Sequence, residues 1–414
     1  MKLYIPKTQV KQESAAMGDP SIGVQKMLDG LASSEILQRL NWDQLLSVNP
    51  AFEETGFTQK GVITRFSRNG YDWDIHGSLY TPAKEVDDKL AFVFFHGGAD
   101  SESVFDLTPD GRPGQARILA AQGFKVLAIS YPGHYPPNGH WRKPIILRQP
   151  LYLLDQDLPP EEVLDRNLKC TFNTILQGAG QLVSQELAGR DILAWGHSTG
   201  GPMAASLSQF ARDVRVIGLT NFGTGGPDGW RKAWREDTGA EKYTELPLDH
   251  MSRRSPHTYR EAGYEDPPDL TPWGGPEELF AWAAEAHRSQ IKTALCDNQH
   301  RGIMTMLEQY PALTGLPKEE FTSHLDDPDP AWLRSISVLA LVGENDKGHW
   351  VAGQEVSQKR EIYMAQRYRK AGVRQNHVVL IPRYGHFGFM ELHNEKLVYL
   401  WLWALKSGYF GKRF

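Results

Sequence analysis

Six apolar runs, each ending in glycine or a polar residue, constrain the fold of this chain more than any other feature of its sequence. They are KLAFVFFHGG (89–98), FKVLAISYPG (124–133), DILAWGH (191–197), VRVIGLTNFG (214–223), ISVLALVGEND (336–346) and NHVVLIPRYGH (376–386). Runs of this kind are typical of parallel strands that are buried on both faces. Helical patterns lie between or after them, at about 112–122, 160–188 and 391–406. The alternation predicts an α/β fold built on a largely parallel sheet.

The segments before these runs predict a different kind of structure. GVITRFSR (61–68) and DWDIHGSLYTP (72–82) alternate apolar and polar residues, which is typical of a half-exposed antiparallel pair. Residues 1–55 have helix-like patterns, and the clearest of these is SSEILQRLNWDQLLSV (33–48). We therefore expect an N-terminal helical extension over 1–55.

Residues 224–333 interrupt the strand pattern and contain five tryptophans, among them Trp230 and Trp234. Structureless loops of this length are uncommon, so the segment predicts a cap or lid inserted between two strands of the sheet. The core would then consist of two parts, 56–223 and 334–414. We expect Trp230 and Trp234 to contact the substrate from this cap.

Composition and charge narrow the class of partner. The net charge of -5 and the lack of a long basic run argue against a nucleic acid or an anionic membrane. No apolar run reaches the roughly 18 residues of a membrane span, and the first 20 residues lack the apolar stretch of a secretory signal. The two cysteines, Cys170 and Cys296, form neither a disulfide framework nor a metal-ligand pattern. We expect a cytoplasmic protein that acts on a small molecule without a cofactor; the sequence does not specify its oligomeric state, and a homodimer stays open.

A predicted strand meets a predicted helix at GHSTGG (196–201). A chain that turns from strand to helix within a few residues places the turning residue in strained backbone geometry, and flanking glycines remove side chains that would clash. Ser198 is that residue, at a helix N-terminus whose dipole favours a developing negative charge. The pattern predicts an exposed nucleophile rather than a serine in a chance G-x-S-x-G loop.

A serine hydroxyl needs a base to take its proton, and the base needs a carboxylate to orient it. One of the later predicted strands ends in Glu344 and Asp346, and the last ends in His386. Because the carboxyl ends of parallel strands share one edge of a sheet, these residues are expected on the same rim as Ser198. We predict His386 as the base and Asp346 as the acid, with Glu344 as the alternative acid.

The segment FFHGGAD (94–100) follows the first of the apolar strands. Its glycines would let backbone N–H groups approach a substrate carbonyl, as an oxyanion hole requires, although they could also simply turn the chain. We predict the N–H groups of Gly98 and Thr199 as the oxyanion donors. His96 and His197, which precede the glycine loop and the serine, are expected to contact the substrate.

Together these motifs resemble the α/β-hydrolase superfamily over roughly residues 60–408. The matching residues are His96-Gly97-Gly98, Gly196-His197-Ser198-Thr199-Gly200, Asp346 and Gly385-His386. The resemblance implies a mostly parallel eight-stranded sheet with flanking helices, a helical cap after the sixth strand, and a Ser-Asp-His mechanism through an acyl-enzyme. The glycine loop reads HGGA where many lipases and esterases have HGGG. GGADS (97–101) is similar to a segment of the FrsA-like hydrolases, which include a C–C bond hydrolase acting on a pseudooxynicotine.

These expectations describe a serine hydrolase that cleaves a carboxylic ester or lactone of moderate size. The alternative is a C–C bond hydrolase or an amidase on the same triad. A non-catalytic binding protein of the same fold is a third class, whose members usually lack one triad residue. The spacing of His134, His140 and His349 fits no known ligand pattern, so no metal is expected.

Overall fold

In a computed structural model, one sheet with helices on both faces organises the described part of the chain. The described residues are 21–97, 102–108, 111–132, 169–198, 200–223, 315–317, 320, 330–344, 346, 356–373, 375–385, 388–411 and 414. The strands are β1 (Leu37–Arg39), β2 (Phe57–Arg68), β3 (Tyr71–Pro82), β4 (Leu90–Phe95), β5 (Lys125–Ser130), β6 (Asp191–His197), β7 (Arg215–Phe222), β8 (Ser337–Gly343) and β9 (Asn376–Ile381). The helices are α1 (Ser21–Ala32), α2 (Trp42–Leu46), α3 (Gln115–Ala121), α4 (Phe172–Leu187), α5 (Gly200–Ser206), α6 (Pro330–Ser335), α7 (Val356–Lys370) and α8 (Asn394–Lys406). Among these helices, none has the length and apolar character needed to cross a bilayer.

The order of the strands across the sheet is β1-β9-β8-β7-β6-β4-β5-β3-β2. Neighbours from β1 to β5 run parallel, whereas β3 runs antiparallel to both β5 and β2. The predicted parallel sheet and the predicted antiparallel pair are both confirmed. Consequently the carboxyl ends of β4, β5, β6, β7, β8 and β9 lie along one rim.

Both faces of the sheet are buried, as the uninterrupted apolar runs predict. In β4, Leu90, Phe92 and Phe94 belong to the core cluster on one face, which includes residues of α1, α3 and α8. The alternate residues Ala91 and Phe95 belong to the cluster on the other face, with α4 and α7. A strand with cores on both sides has no polar face, which explains why these runs do not alternate.

The sheet has nine strands in the described residues where eight were expected, whereas α1 and α2 lie within the predicted N-terminal extension, whose bounds of 1–55 stay a prediction. Leu37–Arg39 forms a ninth strand that pairs parallel with Val378–Leu380 of β9. Ile36 and Leu37 also pack against the small core cluster around β8 and β9. A strand of three residues is too short to show an alternating pattern, so its partner in β9 decides its conformation.

The segment after α2 is bound to the last helix, α8. Lys396 and Lys406 donate to the carbonyls of Val48 and Ala51, at 2.6 and 2.8 Å. The Trp403 indole N–H donates to a further carbonyl of this segment at 2.9 Å. Residues 48–51 are therefore bound to the core through α8.

Candidate active site

The turn after β6 has the strained geometry that the sequence predicts for it. β6 ends at His197, α5 begins at Gly200, and the half-buried Ser198 between them has a φ of 49°. A residue with a Cβ in this left-handed region costs about 1–2 kcal/mol. The predicted strand–turn–helix is confirmed, and strain of this kind persists only where the surrounding structure imposes it.

The flanking glycines are required by close backbone contacts. A Cβ on Gly196 would lie 2.3 Å from the Gly200 carbonyl oxygen, and a Cβ on Gly200 would lie 2.2 Å from that of Phe95. The Ser198 N–H donates to the Phe222 carbonyl at 3.2 Å. The turn is thus held between the ends of β4 and β7, and no side chain fits at either glycine position.

The two candidate acids after β8 differ in their surroundings. Asp346 is 2% exposed, and its N–H donates to the Gly343 carbonyl at 3.1 Å. Glu344 is exposed, and its carboxylate accepts the Arg383 N–H at 3.2 Å. A buried carboxylate at the rim suits the role of orienting a base, whereas the Glu344 carboxylate supports a turn at the surface. This comparison favours Asp346, whose catalytic role stays a prediction.

The predicted base, His386, lies outside the described residues, but its neighbours are placed. A Cβ on Gly343 would lie 2.3 Å from the Tyr384 carbonyl oxygen and 2.6 Å from that of Gly385. The turn that leads to Asp346 therefore touches the backbone just before His386.

Arg112, which the sequence analysis did not single out, holds the chain just after His386. Its guanidinium donates to the carbonyls of Met390 and Glu391, both at 2.8 Å, and to Asn394 Oδ1 at 3.0 Å. These charge-assisted bonds cross from the loop before α3 to the loop before α8. A lone arginine in a Gly/Pro-rich loop gives no sequence signal for such a long-range contact.

We predict that Arg112→Met lowers the free energy of unfolding by about 2–3 kcal/mol, because several bonds to a charged donor are lost. We also expect kcat to fall about tenfold, because a loosened loop would misplace His386, the predicted general base. Denaturant unfolding and steady-state kinetics measure the two effects. The matched control is Arg190→Met, because Arg190 also donates to a backbone carbonyl, that of Leu90, but at the opposite end of the sheet. A comparable loss of kcat in both variants would contradict the idea that Arg112 acts through its position near His386.

The two histidines that were expected to contact the substrate are buried in this structure. His96 is 0% exposed; its Nδ1 lies 2.6 Å from the Gly97 carbonyl oxygen, and its Nε2 accepts the Tyr131 N–H at 3.3 Å. His197 is 1% exposed and packs on Phe389, with ring centroids 4.4 Å apart. These contacts hold the two rings beneath the rim, and a contact of either ring with the substrate stays a prediction. The predicted oxyanion donors Gly98 and Thr199 lie outside the described residues.

Most of the predicted cap, including Trp230 and Trp234, also lies outside the described residues. Glu320 is one of the few described residues of the insertion, and its carboxylate forms a bidentate pair with the Arg68 guanidinium, with Nε to Oε2 at 3.0 Å. Arg68 ends β2 in the β2–β3 hairpin. Because His76 of β3 pairs with the last residue of β5, the hairpin tip extends past the carboxyl rim of the sheet. Glu320 is thus bound at the end of the sheet where Ser198 lies, and the cap stays a prediction.

We predict that Glu320→Gln lowers the free energy of unfolding by about 1–2 kcal/mol, since a part-buried bidentate pair loses its charge. Urea titration measures this effect. The control is Asp191→Asn, which breaks the Arg215–Asp191 pair at the other end of the sheet. The Arg215 side chain is 75% exposed against 24% for Arg68. Because exposed pairs contribute about 0–1 kcal/mol, the control should lose less. Equal losses of unfolding free energy in the two variants would argue that the Arg68–Glu320 pair does not stabilise the protein more than an exposed pair does.

A cysteine nucleophile and a metal centre receive little support from the described residues. The Cys170 thiol is buried, and burial raises its pKa far above the usual range, so that it stays protonated at neutral pH. Across the described ranges, no group of three His, Cys, Asp or Glu side chains could hold a metal ion. The role of Ser198 as the nucleophile stays a prediction.

Several solved structures align with the chain at low identity, and no curated protein sequence matches it. A probable hydrolytic enzyme from Pseudomonas aeruginosa is 15% identical, with 81% of this chain and 93% of that chain covered and a TM-score of 0.46. A homoserine O-acetyltransferase from Staphylococcus aureus is 12% identical (84% and 95% covered, TM-score 0.46). The carboxylesterase CesB from Bacillus subtilis is 15% identical (89% and 94% covered, TM-score 0.41). Substrate and reaction must therefore be argued from the residues of this chain.

The family model described as "Alpha/beta hydrolase family" matches residues 92–398, well over half of the 414 residues. The matched span begins within β4 and ends within α8. It includes the turn at Ser198, the predicted positions Asp346 and His386, and the whole insertion. The likeness to the FrsA-like branch is not tested by this match and stays a prediction. The chain therefore belongs to the α/β hydrolase family and is an enzyme of that family.

Proposed function

We propose that this enzyme is a serine hydrolase that cleaves a carboxylic ester or lactone through an acyl-enzyme. The observation that carries the proposal is the geometry of Ser198, a non-glycine residue at a φ of 49° between a strand and a helix. In the family this turn presents a nucleophile above the sheet. The burial of Asp346 and the contact between the turns before Asp346 and His386 support the same arrangement.

In the proposed reaction, Ser198 Oγ attacks the ester carbonyl carbon while His386 takes the hydroxyl proton. Asp346 holds the imidazole in the tautomer that can accept this proton. The N–H groups of Gly98 and Thr199 bind the oxyanion of the tetrahedral intermediate. The intermediate then expels the alkoxide, which leaves as an alcohol with the proton from His386. A water molecule activated by the same imidazole hydrolyses the acyl-enzyme and releases the carboxylic acid.

The proposed substrate is a small molecule with an apolar or aromatic part. The support is the tryptophan content of the insertion, where Trp230 and Trp234 would form an apolar surface opposite the rim. An aromatic side chain buried against a ligand contributes a large contact area. The size and shape of the substrate would then be set by the insertion and not by the triad.

A fluorophosphonate probe followed by peptide mapping tests the nucleophile directly. We expect one covalent adduct, on Ser198, and its loss when an ester substrate is present in excess. A panel of p-nitrophenyl esters of graded chain length, lactones, anilides and aryl ketones then identifies the bond that is cleaved. Turnover of esters or lactones supports the proposal. Labelling of another residue would overturn the assignment of Ser198 as the nucleophile. Turnover confined to anilides or aryl ketones would overturn the proposal that the substrate is an ester or lactone.

A further inference from the structure

Arg360, at the start of the second turn of α7, is a buried arginine at the carboxyl rim of the sheet. It is 6% exposed, and one terminal nitrogen of its guanidinium donates to the Gly223 carbonyl at 3.2 Å. Its Nε is buried without a hydrogen-bond partner, and no carboxylate of the described residues forms an ion pair with it. Arginine is almost never buried without a paired charge, because removing an isolated cation from water is costly. The guanidinium is therefore suited to bind an anionic group of a ligand.

The Arg360 side chain extends from α7 toward the nucleophile turn. α7 packs on β8 and β9, whereas Gly223 follows β7, the next strand in the direction of Ser198. The guanidinium thus crosses the end of β8. The carbonyl just before that of Gly223 belongs to Phe222 and accepts the Ser198 N–H at 3.2 Å. Two consecutive carbonyls at the end of β7 therefore hold Ser198 and Arg360.

A second buried polar side chain, Asn221, lies at the same strand end. It is 1% exposed, and its Oδ1 has no hydrogen-bond partner. In the sheet it pairs with Gly196, where a Cβ would collide with the start of α5, and with Ala340, which packs with Ala365 of α7. Since paired residues of neighbouring strands project to the same face, the Asn221 side chain lies on the face that carries α5 and α7. Its amide can donate as well as accept, so it adds a second polar group to the side of the sheet from which Arg360 approaches.

We propose that Arg360 binds a carboxylate of the substrate, so that the enzyme prefers esters or lactones that carry a second, anionic group. The inference rests on the proposed function and names the substrate class of that site. In open α/β sheets, ligands bind outside the carboxyl ends of the strands, where Arg360 and Ser198 both lie. A carboxylate fits better than a phosphate, because its single negative charge balances one guanidinium, whose planar N–H groups can bind both carboxylate oxygens. The bond to Gly223 holds the guanidinium in place before the ligand binds, which lowers the entropic cost of binding.

The first test compares anionic with neutral esters of the same acyl length. The monoethyl esters of succinate, glutarate and adipate are measured against ethyl butanoate, pentanoate and hexanoate by acid release in a pH-stat. We expect the wild type to favour at least one anionic ester about 10–100-fold in kcat/KM, the range of hydrogen bonds to a charged group. Arg360→Met should bring that ratio close to one. Arg360→Gln keeps a donor for the Gly223 carbonyl and loses the charge, so it should give the same result if Arg360→Met does not fold.

The matched control is Arg369→Met. Arg369 lies on the same helix and also donates to a backbone carbonyl, that of Asn376 at 3.0 Å, but at the amino end of β9. The Arg369→Met variant should keep the wild-type ratio within about twofold, because a charge at the far end of the sheet is screened from the rim.

A second test measures binding without turnover. Glutarate is titrated into the wild type and the variants by isothermal calorimetry. Its Kd should rise about tenfold or more in the Arg360 variants and less than about twofold in Arg369→Met. The inference is overturned if folded Arg360 variants keep the preference for anionic esters or the glutarate affinity, or if Arg369→Met loses them equally. A wild type that hydrolyses esters without preferring an anionic one overturns this inference alone. A wild type that hydrolyses no ester but binds glutarate through Arg360 overturns the proposed function and leaves the carboxylate site standing.

Discussion

Replacing Ser198 with alanine is expected to lower kcat for the best ester substrate by about four to six orders of magnitude, because the attacking oxygen is removed. The fold should survive, since alanine has a Cβ as serine does and the strain at the positive φ is unchanged. Steady-state kinetics and circular dichroism measure the two outcomes. The control is Ser206→Ala, in which a buried serine of α5, the short helix after Ser198, loses its hydroxyl. This control should keep activity within about threefold.

The backbone strain at Ser198 can be measured by comparing the stabilities of two variants. Ser198→Gly should be more stable than Ser198→Ala by about 1 kcal/mol, because glycine adopts the left-handed region without strain. If Ser198→Ala keeps more than a tenth of the wild-type activity, the nucleophile is misassigned. If the glycine variant is the less stable of the two, the positive φ is not a strained position.

Replacing Asp346 with asparagine is expected to lower kcat by about three orders of magnitude or more. An amide cannot hold the imidazole in the tautomer that accepts the serine proton, although the shape of the side chain is kept. Glu344→Gln should lower kcat less than about threefold, since the Glu344 carboxylate accepts the Arg383 N–H and an amide oxygen can do the same. The pair of variants, assayed on one ester across a pH series, assigns the acid. A large loss for Glu344→Gln together with a small loss for Asp346→Asn would exchange the two roles.

The sequence was sufficient to predict the features that depend on local patterns. Uninterrupted apolar runs predicted the parallel strands, because strands such as β4 are buried on both faces. The glycines at 196 and 200 predicted the sharp turn at Ser198, because side chains there would collide with backbone. The buried Asp346 was favoured over Glu344 from its place after the strand alone.

Features that depend on distant contacts had no local signal. β1 has three residues and exists because it pairs with β9, far along the chain. Arg112 and Tyr131 act through backbone carbonyls, which every residue has, so the sequence does not indicate their partners. The polar residues after the apolar run of β5, in SYPG (130–133), were the one available hint that this strand end contributes to the rim.

Because the segment that follows α2 is bound by α8, this part of the core can form only after α8 has been synthesised. The bonds from Val48 and Ala51 to Lys396 and Lys406 join residues 348 and 355 positions apart. At about 5–20 residues per second, the ribosome needs roughly 20–70 s between making the two sides. Throughout that time the apolar residues of the early segment, such as Leu45 and Val48, lack the helix that buries them. The nascent chain therefore exposes these apolar residues until α8 has left the ribosome.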